Sequence, residues 1–122
     1  MRLYSEIRDG VCVLRLKGRF VTGSNAEVAS ARKQLQGAGI ANAIVDLREV
    51  PYIDSTGLAF LVELYKILQE RGGQLVLAGA NARVLEVLAL TRICELIPMF
   101  DDQKSAFAAL SAPRVLAGCA GR

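Results

Sequence analysis

Residues 44–61, IVDLREVPYIDSTGLAFL, carry the pattern that decides the fold. The run Ala43-Ile44-Val45-Asp46-Leu47 is rich in strand formers and apolar on both faces before Asp46, as a central strand covered on two sides would be. Residues 48–54 make the following loop, stiffened by Pro51. A helix opens at Ser55 and is expected to run to about Arg71. Leu58, Leu61, Val62, Tyr65 and Leu68 recur on one stripe of it, and Phe60, Leu64 and Ile67 broaden that stripe. A helix this apolar is expected to lie against a sheet and to touch a further surface as well. Gly72-Gly73 stop it.

Upstream, Val11–Lys17 alternates cleanly: Cys12, Leu14 and Leu16 point one way, Arg15 and Lys17 the other. Residues 3–8 alternate less cleanly, and Asp9-Gly10 is the hairpin signal that joins the two strands. Ser24-Asn25-Ala26-Glu27 reads as a capping box, after which Val28, Ala31 and Leu35 recur at helical spacing until Gly37 and Gly39. Downstream, residues 74–78 (QLVLA) form another inner strand, and Asn81 caps a helix carrying Val84, Leu85 and Leu88. A short strand at 97–100 precedes Asp101-Asp102, which cap a last helix with Phe107 and Leu110. Periodicity is lost from Ala112, so residues 1–111 are expected to form a single domain and 112–122 a frayed tail. The order β-β-α-β-α-β-α-β-α places two antiparallel strands before βαβ crossovers. It predicts an α/β fold: a mixed β-sheet with helices packed mainly against one side.

A chain of 122 residues has room for one hydrophobic core. With 52% apolar and 22% charged residues it is composed like a globular protein rather than a disordered one. The mean hydropathy of +0.33 raises a membrane question. The longest uncharged stretch, residues 34–45, contains Gly37, Gly39 and Asn42. It falls short of the roughly 20 apolar residues that a spanning helix needs. The opening MRLYSEIRDG meets Glu6 and Asp9 before any apolar run, unlike a signal peptide, so a cytoplasmic location with no membrane partner is expected. The net charge of +3 is spread over 15 basic and 12 acidic residues with no block of one sign. Phosphate tracking requires clustered cations, so nucleic acid is not an expected partner.

Catalysis is poorly provided for. There is no histidine, which removes the commonest general base, the commonest transition-metal ligand and every Ser-His-Asp arrangement. Cys12, Cys94 and Cys119 are odd in number and far apart, fitting neither a disulfide framework nor a zinc site, and Cys12 reads as a small buried hydrophobe. Gly18 and Gly23 have the glycine spacing of a P-loop, but Ser24-Asn25 stands where Lys-Ser/Thr is required. Gly37-Ala38-Gly39 follows a helix instead of a strand, so it is not a dinucleotide fingerprint. Ser55 lacks both the G-x-S-x-G elbow and a histidine to activate it. Asp46 and Asp54 could in principle form an acid–base pair; the commoner reading is a strand-end turn former and a helix-cap neighbour. The expectation is a protein that is not an enzyme and uses neither cofactor nor metal.

What the sequence does offer is a hydroxyl at a helix start. Asp54-Ser55-Thr56-Gly57 places Ser55 beside unpaired N–H groups and the positive end of the helix dipole. A phosphate there, adding about −1.5 to −2 charges, would be held by the amides, and Gly57 would leave the approach open. The competing reading makes Ser55 no more than the N-cap of its helix.

The segment Asp46-Leu47-x-x-Val50-x-x-Ile53-Asp54-Ser55-Thr56-Gly57-Leu58 resembles the signature of the STAS domain family, and within it the stand-alone bacterial anti-sigma factor antagonists. Leu16-x-Gly18 ending the second strand, Gly72-Gly73 before the fourth and the order of elements extend the resemblance over about residues 1–111. It implies a partner switch. In such families the unmodified protein binds an anti-sigma factor that is also a serine kinase, of the GHKL type, and so frees a sigma factor. The kinase, using ATP, phosphorylates the serine directly after the aspartate, here Ser55, and a PP2C-type serine phosphatase removes the phosphate. Asp54 would shape the loop and present Ser55, with Thr56 as the neighbouring hydroxyl. The partner-binding set so implied is Arg19, Thr22, Tyr52, Asp54, Ser55, Thr56 and Gly57.

One stretch departs from the family pattern. Members often carry acidic residues after the glycine that ends the second strand, in a pattern like Gly-Glu-Leu-Asp, where this chain has Gly18-Arg19-Phe20-Val21. That loop is partner-facing in such proteins. The resemblance therefore leaves open whether the partner is an anti-sigma factor with a differently charged surface or another regulator. The alternative within the family is a STAS-only docking subunit of a lipid or anion transport system. A third reading, a nucleotide-binding module, rests on fold analogy alone.

Overall fold

Alternation in the first seventeen residues becomes a hairpin in the computed structural model, which describes residues 2–19, 25–37 and 41–111. Strands β1 (Arg2–Arg8) and β2 (Val11–Lys17) pair antiparallel. Asp9 and Gly10 between them both have positive φ, 53° and 79°, which matches the turn to the twist of its strands. From β2 onward the pairing is parallel, through β3 (Asn42–Glu49), β4 (Leu75–Ala78) and β5 (Met99–Phe100). The sheet order is β1-β2-β3-β4-β5. The crossovers are α1 (Asn25–Gly37), α2 (Ser55–Glu70) and α3 (Ala82–Leu90), and α4 (Gln103–Ser111) follows β5. A single 3-10 turn at Ile93–Glu95, which the apolar pattern did not signal, joins α3 to β5. This is the mixed α/β architecture expected from the order of elements.

Two apolar layers hold the sheet. On one face Cys12, Leu14, Leu16, Val45, Leu47 and Leu77 meet side chains of α1, α2 and α3. On the other, Val11, Val13, Ile44, Val76 and Ala78 lie under Ala106, Phe107 and Leu110 of α4. Helices thus pack mainly on one side, with α4 on the other. The second layer explains why β2 buries more than its alternation suggests: Val11 and Val13 join the cluster beneath α4, and only Arg15 and Lys17 reach solvent.

The helix α2 is also turned slightly from its expected orientation. Gly57, Phe60, Leu61, Leu64 and Leu68 are its buried line, and Leu58, Val62 and Tyr65 are partly buried beside it. Both sets are apolar, so hydropathy alone could not choose between them; contact with the sheet did. Arg32 of α1 pairs with Glu63 of α2 at 2.7 Å, and Arg71 donates to the Leu35 carbonyl. Together these contacts bind the first two crossovers.

Gly73 and Gly79 sit where a side chain would be strained. A Cβ at Gly73 would sit 1.6 Å from the carbonyl oxygen of Ala41, and Gly79 has a φ of +75°. Asp46 is buried on β3 and its oxygens are satisfied: Oδ1 accepts from the Arg48 amide at 2.9 Å and Oδ2 from Gln103 Nε2 at 2.6 Å. Arg8 in turn donates to Gln103 Oε1 at 2.7 Å. Cys12 is a free, buried thiol whose pKa burial pushes up. Cys94 is disulfide-bonded, which the number and spacing of the cysteines had not suggested. No helix among the described residues is long and apolar enough to cross a membrane. The Ser24 cap, the Gly39 stop and the tail from Ala112 fall outside the described residues.

Candidate functional site

The carboxyl ends of β2, β3 and β4 deliver three loops to one edge of the sheet, where open parallel sheets place their sites. Gly18, with a φ of 103°, donates its amide to Glu49 O at 2.9 Å, which brings Arg19 alongside the end of β3. Beyond β3 the loop is pinned by two buried side chains, Val50 and Ile53, with Pro51 exposed and Tyr52 half-buried between them. The pins fix where Asp54 leaves the loop.

Asp54 is the N-cap of α2, with φ −112° and ψ −168°. Its Oδ1 accepts from the Thr56 amide at 2.9 Å and the Gly57 amide at 3.3 Å, and its carbonyl accepts from Leu58 N at 3.0 Å. Ser55 is therefore the first helical residue and not the cap. It is exposed, and its hydroxyl makes no hydrogen bond among the described residues. A carboxylate suits this capping position because it answers both the orphan amides and the helix dipole.

The same geometry changes where a phosphate could sit. The amides of Thr56 and Gly57 already serve Asp54, so a phosphoryl group on Ser55 would stand outward next to a fixed carboxylate. Gly57 faces the interior, Thr56 is half-buried, and the open approach to Ser55 comes from its own exposure.

The third loop is fastened to the second through Asn81. Its Oδ1 caps α3 by accepting from Val84 N at 2.8 Å, and its Nδ2 donates to Val50 O at 3.3 Å. The start of α3 is thereby held beside Tyr52. The Arg83 guanidinium carbon lies 5.5 Å from the Tyr52 ring centroid and that of Arg19 lies 5.8 Å from it. Among the described residues no group of three or more His, Cys, Asp or Glu side chains could hold a metal ion.

A strand, a pinned loop and Asp-Ser-Thr-Gly opening a helix agree with one family description. Residues 3–106 match the STAS domain. This chain belongs to the STAS domain family. It is 22% identical over 116 residues to the anti-sigma F factor antagonist of Paenibacillus polymyxa, an alignment covering 90% of this chain and 95% of that one. Among solved structures, an anti-sigma factor antagonist from Mycobacterium paratuberculosis shares the fold. Its TM-score is 0.82 at 20% identity, over 91% of this chain and 94% of that one. A segment of 58 residues, 48% of this chain, is 41% identical to high affinity sulfate transporter 1 of Stylosanthes hamata, of which it covers 9%.

On this STAS domain the structure brings Arg19, Tyr52, Asp54, Ser55 and Thr56 to one end of the sheet, while Thr22 lies outside the described residues. Sequence reasoning missed Arg83. A signal was available: Arg83 stands two residues after the helix-capping Asn81, and helix starts in parallel αβ units gather at the same sheet edge as the other loops.

Proposed function

We propose that this STAS domain is an anti-sigma factor antagonist that switches partners at Ser55. The observation that carries the reading is the division of labour at the start of α2: Asp54 caps the helix, and the Ser55 hydroxyl is left exposed and unengaged. The relatives that align over nearly their whole length carry the same functional name. In the unmodified state the domain binds an anti-sigma factor that is a GHKL-type serine kinase, and a sigma factor is released. The kinase transfers the γ-phosphoryl group of ATP to Ser55 Oγ, with ADP leaving and the hydroxyl proton passing to a base on the kinase. A PP2C-type phosphatase hydrolyses the ester and restores binding. The domain supplies the acceptor and the docking surface, the partners supply the catalysis, and the exchange takes place in the cytoplasm.

The switch needs no refolding. A phosphate of about −1.5 to −2 charges inside a docked interface must be desolvated or set against like charge. Each 1.4 kcal/mol of that penalty is about tenfold in affinity. Incubation with the cognate kinase and ATP, followed by mass spectrometry, tests the site. Phosphate should be found on Ser55 and be absent from Ser55→Ala; full labelling of Ser55→Ala overturns the assignment.

The transporter match favours a second reading, a docking subunit of an anion transport system. In that case the bound partner would be a membrane transport component, and its binding would be indifferent to the state of Ser55.

A further inference from the structure

We propose that Arg19, Tyr52 and Arg83 form a cationic recognition patch on the docking face, and that the partner presents paired carboxylates to it. The inference rests on the partner switch proposed above, taking the surface around Ser55 as its docking face, and adds the chemistry of what binds there.

Two loops and the first turn of a helix meet at Tyr52. Arg19 follows β2, Tyr52 follows β3, and Arg83 opens α3, so the patch exists only once the parallel strands have aligned. The half-buried ring takes one guanidinium from the loop after β2, at 5.8 Å, and one from the first turn of α3, at 5.5 Å. Stacking of this kind limits the rotamers of a long side chain before a partner arrives, which lowers the entropy lost on binding.

Both arginines are exposed, and among the described residues neither is paired with a carboxylate. The ion pairs among the described residues join Arg8 to Glu6, Lys17 to Glu49, Arg32 to Glu63 and Arg92 to Glu95. Asp54, the acidic residue of the neighbouring loop, directs its Oδ1 to the amides of Thr56 and Gly57. Two oriented guanidiniums without an ion-pair partner among the described residues present planar forks of donors suited to bidentate carboxylates. A nucleic acid would require a longer basic track, which the evenly spread charge of this chain does not provide. An acidic protein surface is the match.

This polarity also sharpens the switch. Phosphate on Ser55 would face an acidic partner directly, and it would compete for the arginines that the partner needs.

The test uses the full chain and the GHKL-type anti-sigma kinase that phosphorylates Ser55, with binding followed by calorimetry at low and high salt. Arg19→Glu and Arg83→Glu should each weaken binding by roughly tenfold, and the pair by more, while the salt dependence flattens. Arg19→Gln and Arg83→Gln, which keep these exposed positions polar, should lie between, with unchanged melting temperatures. An acidic-to-Arg change on the kinase surface should restore binding to Arg83→Glu. Unaltered or tighter binding by the Glu variants overturns the patch while leaving the partner switch standing. Failure of the unmodified wild-type chain to bind any such kinase overturns both.

Discussion

Asp54 Oδ1 accepts a hydrogen bond from the Thr56 amide at 2.9 Å, so the residue between them begins a helix that it does not have to cap. In the proposed switch, capping and signalling would fall to adjacent side chains. Modification of Ser55 would then leave the first turn of α2 closed, with the Asp54 cap in place in either state.

Separate roles predict separate mutational costs. Ser55→Ala should change stability by less than about 0.5 kcal/mol, as exposed substitutions away from special features do. Asp54→Ala should lose about 0.5–2 kcal/mol with its cap. Urea unfolding of the two variants checks this; a larger loss for Ser55→Ala would reassign the cap.

Binding should follow charge at Ser55 and nothing larger. Phosphorylation is expected to weaken association with the cognate kinase by about two orders of magnitude or more. Ser55→Asp, with a smaller charge, should reproduce part of that loss, and Ser55→Ala should bind constitutively. Equal affinities of the phosphorylated and unmodified forms in titration calorimetry would mean that Ser55 is no switch.

Glycine substitutions should rank by what surrounds them. Gly10, at φ +79° with nothing within 4 Å of a new Cβ, should cost about 1–2 kcal/mol as alanine, from backbone conformation alone. Gly73→Ala must push the Ala41 carbonyl away, and that segment carries the bonds Ala43 N to Gln74 O at 3.0 Å and Gln74 N to Asn42 Oδ1 at 2.9 Å. Its cost should reach about 3 kcal/mol or more. Thermal melts that placed Gly73→Ala above Gly10→Ala in stability would contradict this packing.

Two helix caps differ in whether they titrate. The carboxylate of Asp102, which accepts from Ser105 N at 2.8 Å, has its pKa lowered first by that backbone hydrogen bond. A depressed folded-state value means that its stabilisation is complete above the ordinary carboxylate pKa and is lost as the pH falls through the lowered one. Asn81 caps α3 with an amide that carries no charge. Amide protection, corrected for the fall of the intrinsic exchange rate with pH, should therefore drop at Ser105 and Ala106 on acidification before it does at Val84. Simultaneous loss of protection in α3 and α4 would indicate global unfolding in place of a local cap effect.

The sequence by itself determined what depends on near neighbours. Alternation over Val11–Lys17 predicted β2 with its bounds intact, Asn81 and Asp102 announced the helices they cap, and Asp54-Ser55-Thr56-Gly57 marked the start of α2. Such signals are legible because their hydrogen bonds span two or three residues. The choice between Asp54 and Ser55 as cap was equally local in sequence, yet it was decided by the backbone at Asp54, which the buried pins Val50 and Ile53 impose from the core. Only tertiary structure could turn α2 so that Phe60 and Leu64 face inward, since the helix is apolar on more than one side. Only tertiary structure, too, could set Gln103 against Asp46 across 57 residues or bring Arg83 to the ring of Tyr52. Those contacts arise from strands aligning in parallel, and the spacing of residues along the chain carries no record of which loops will then share an edge.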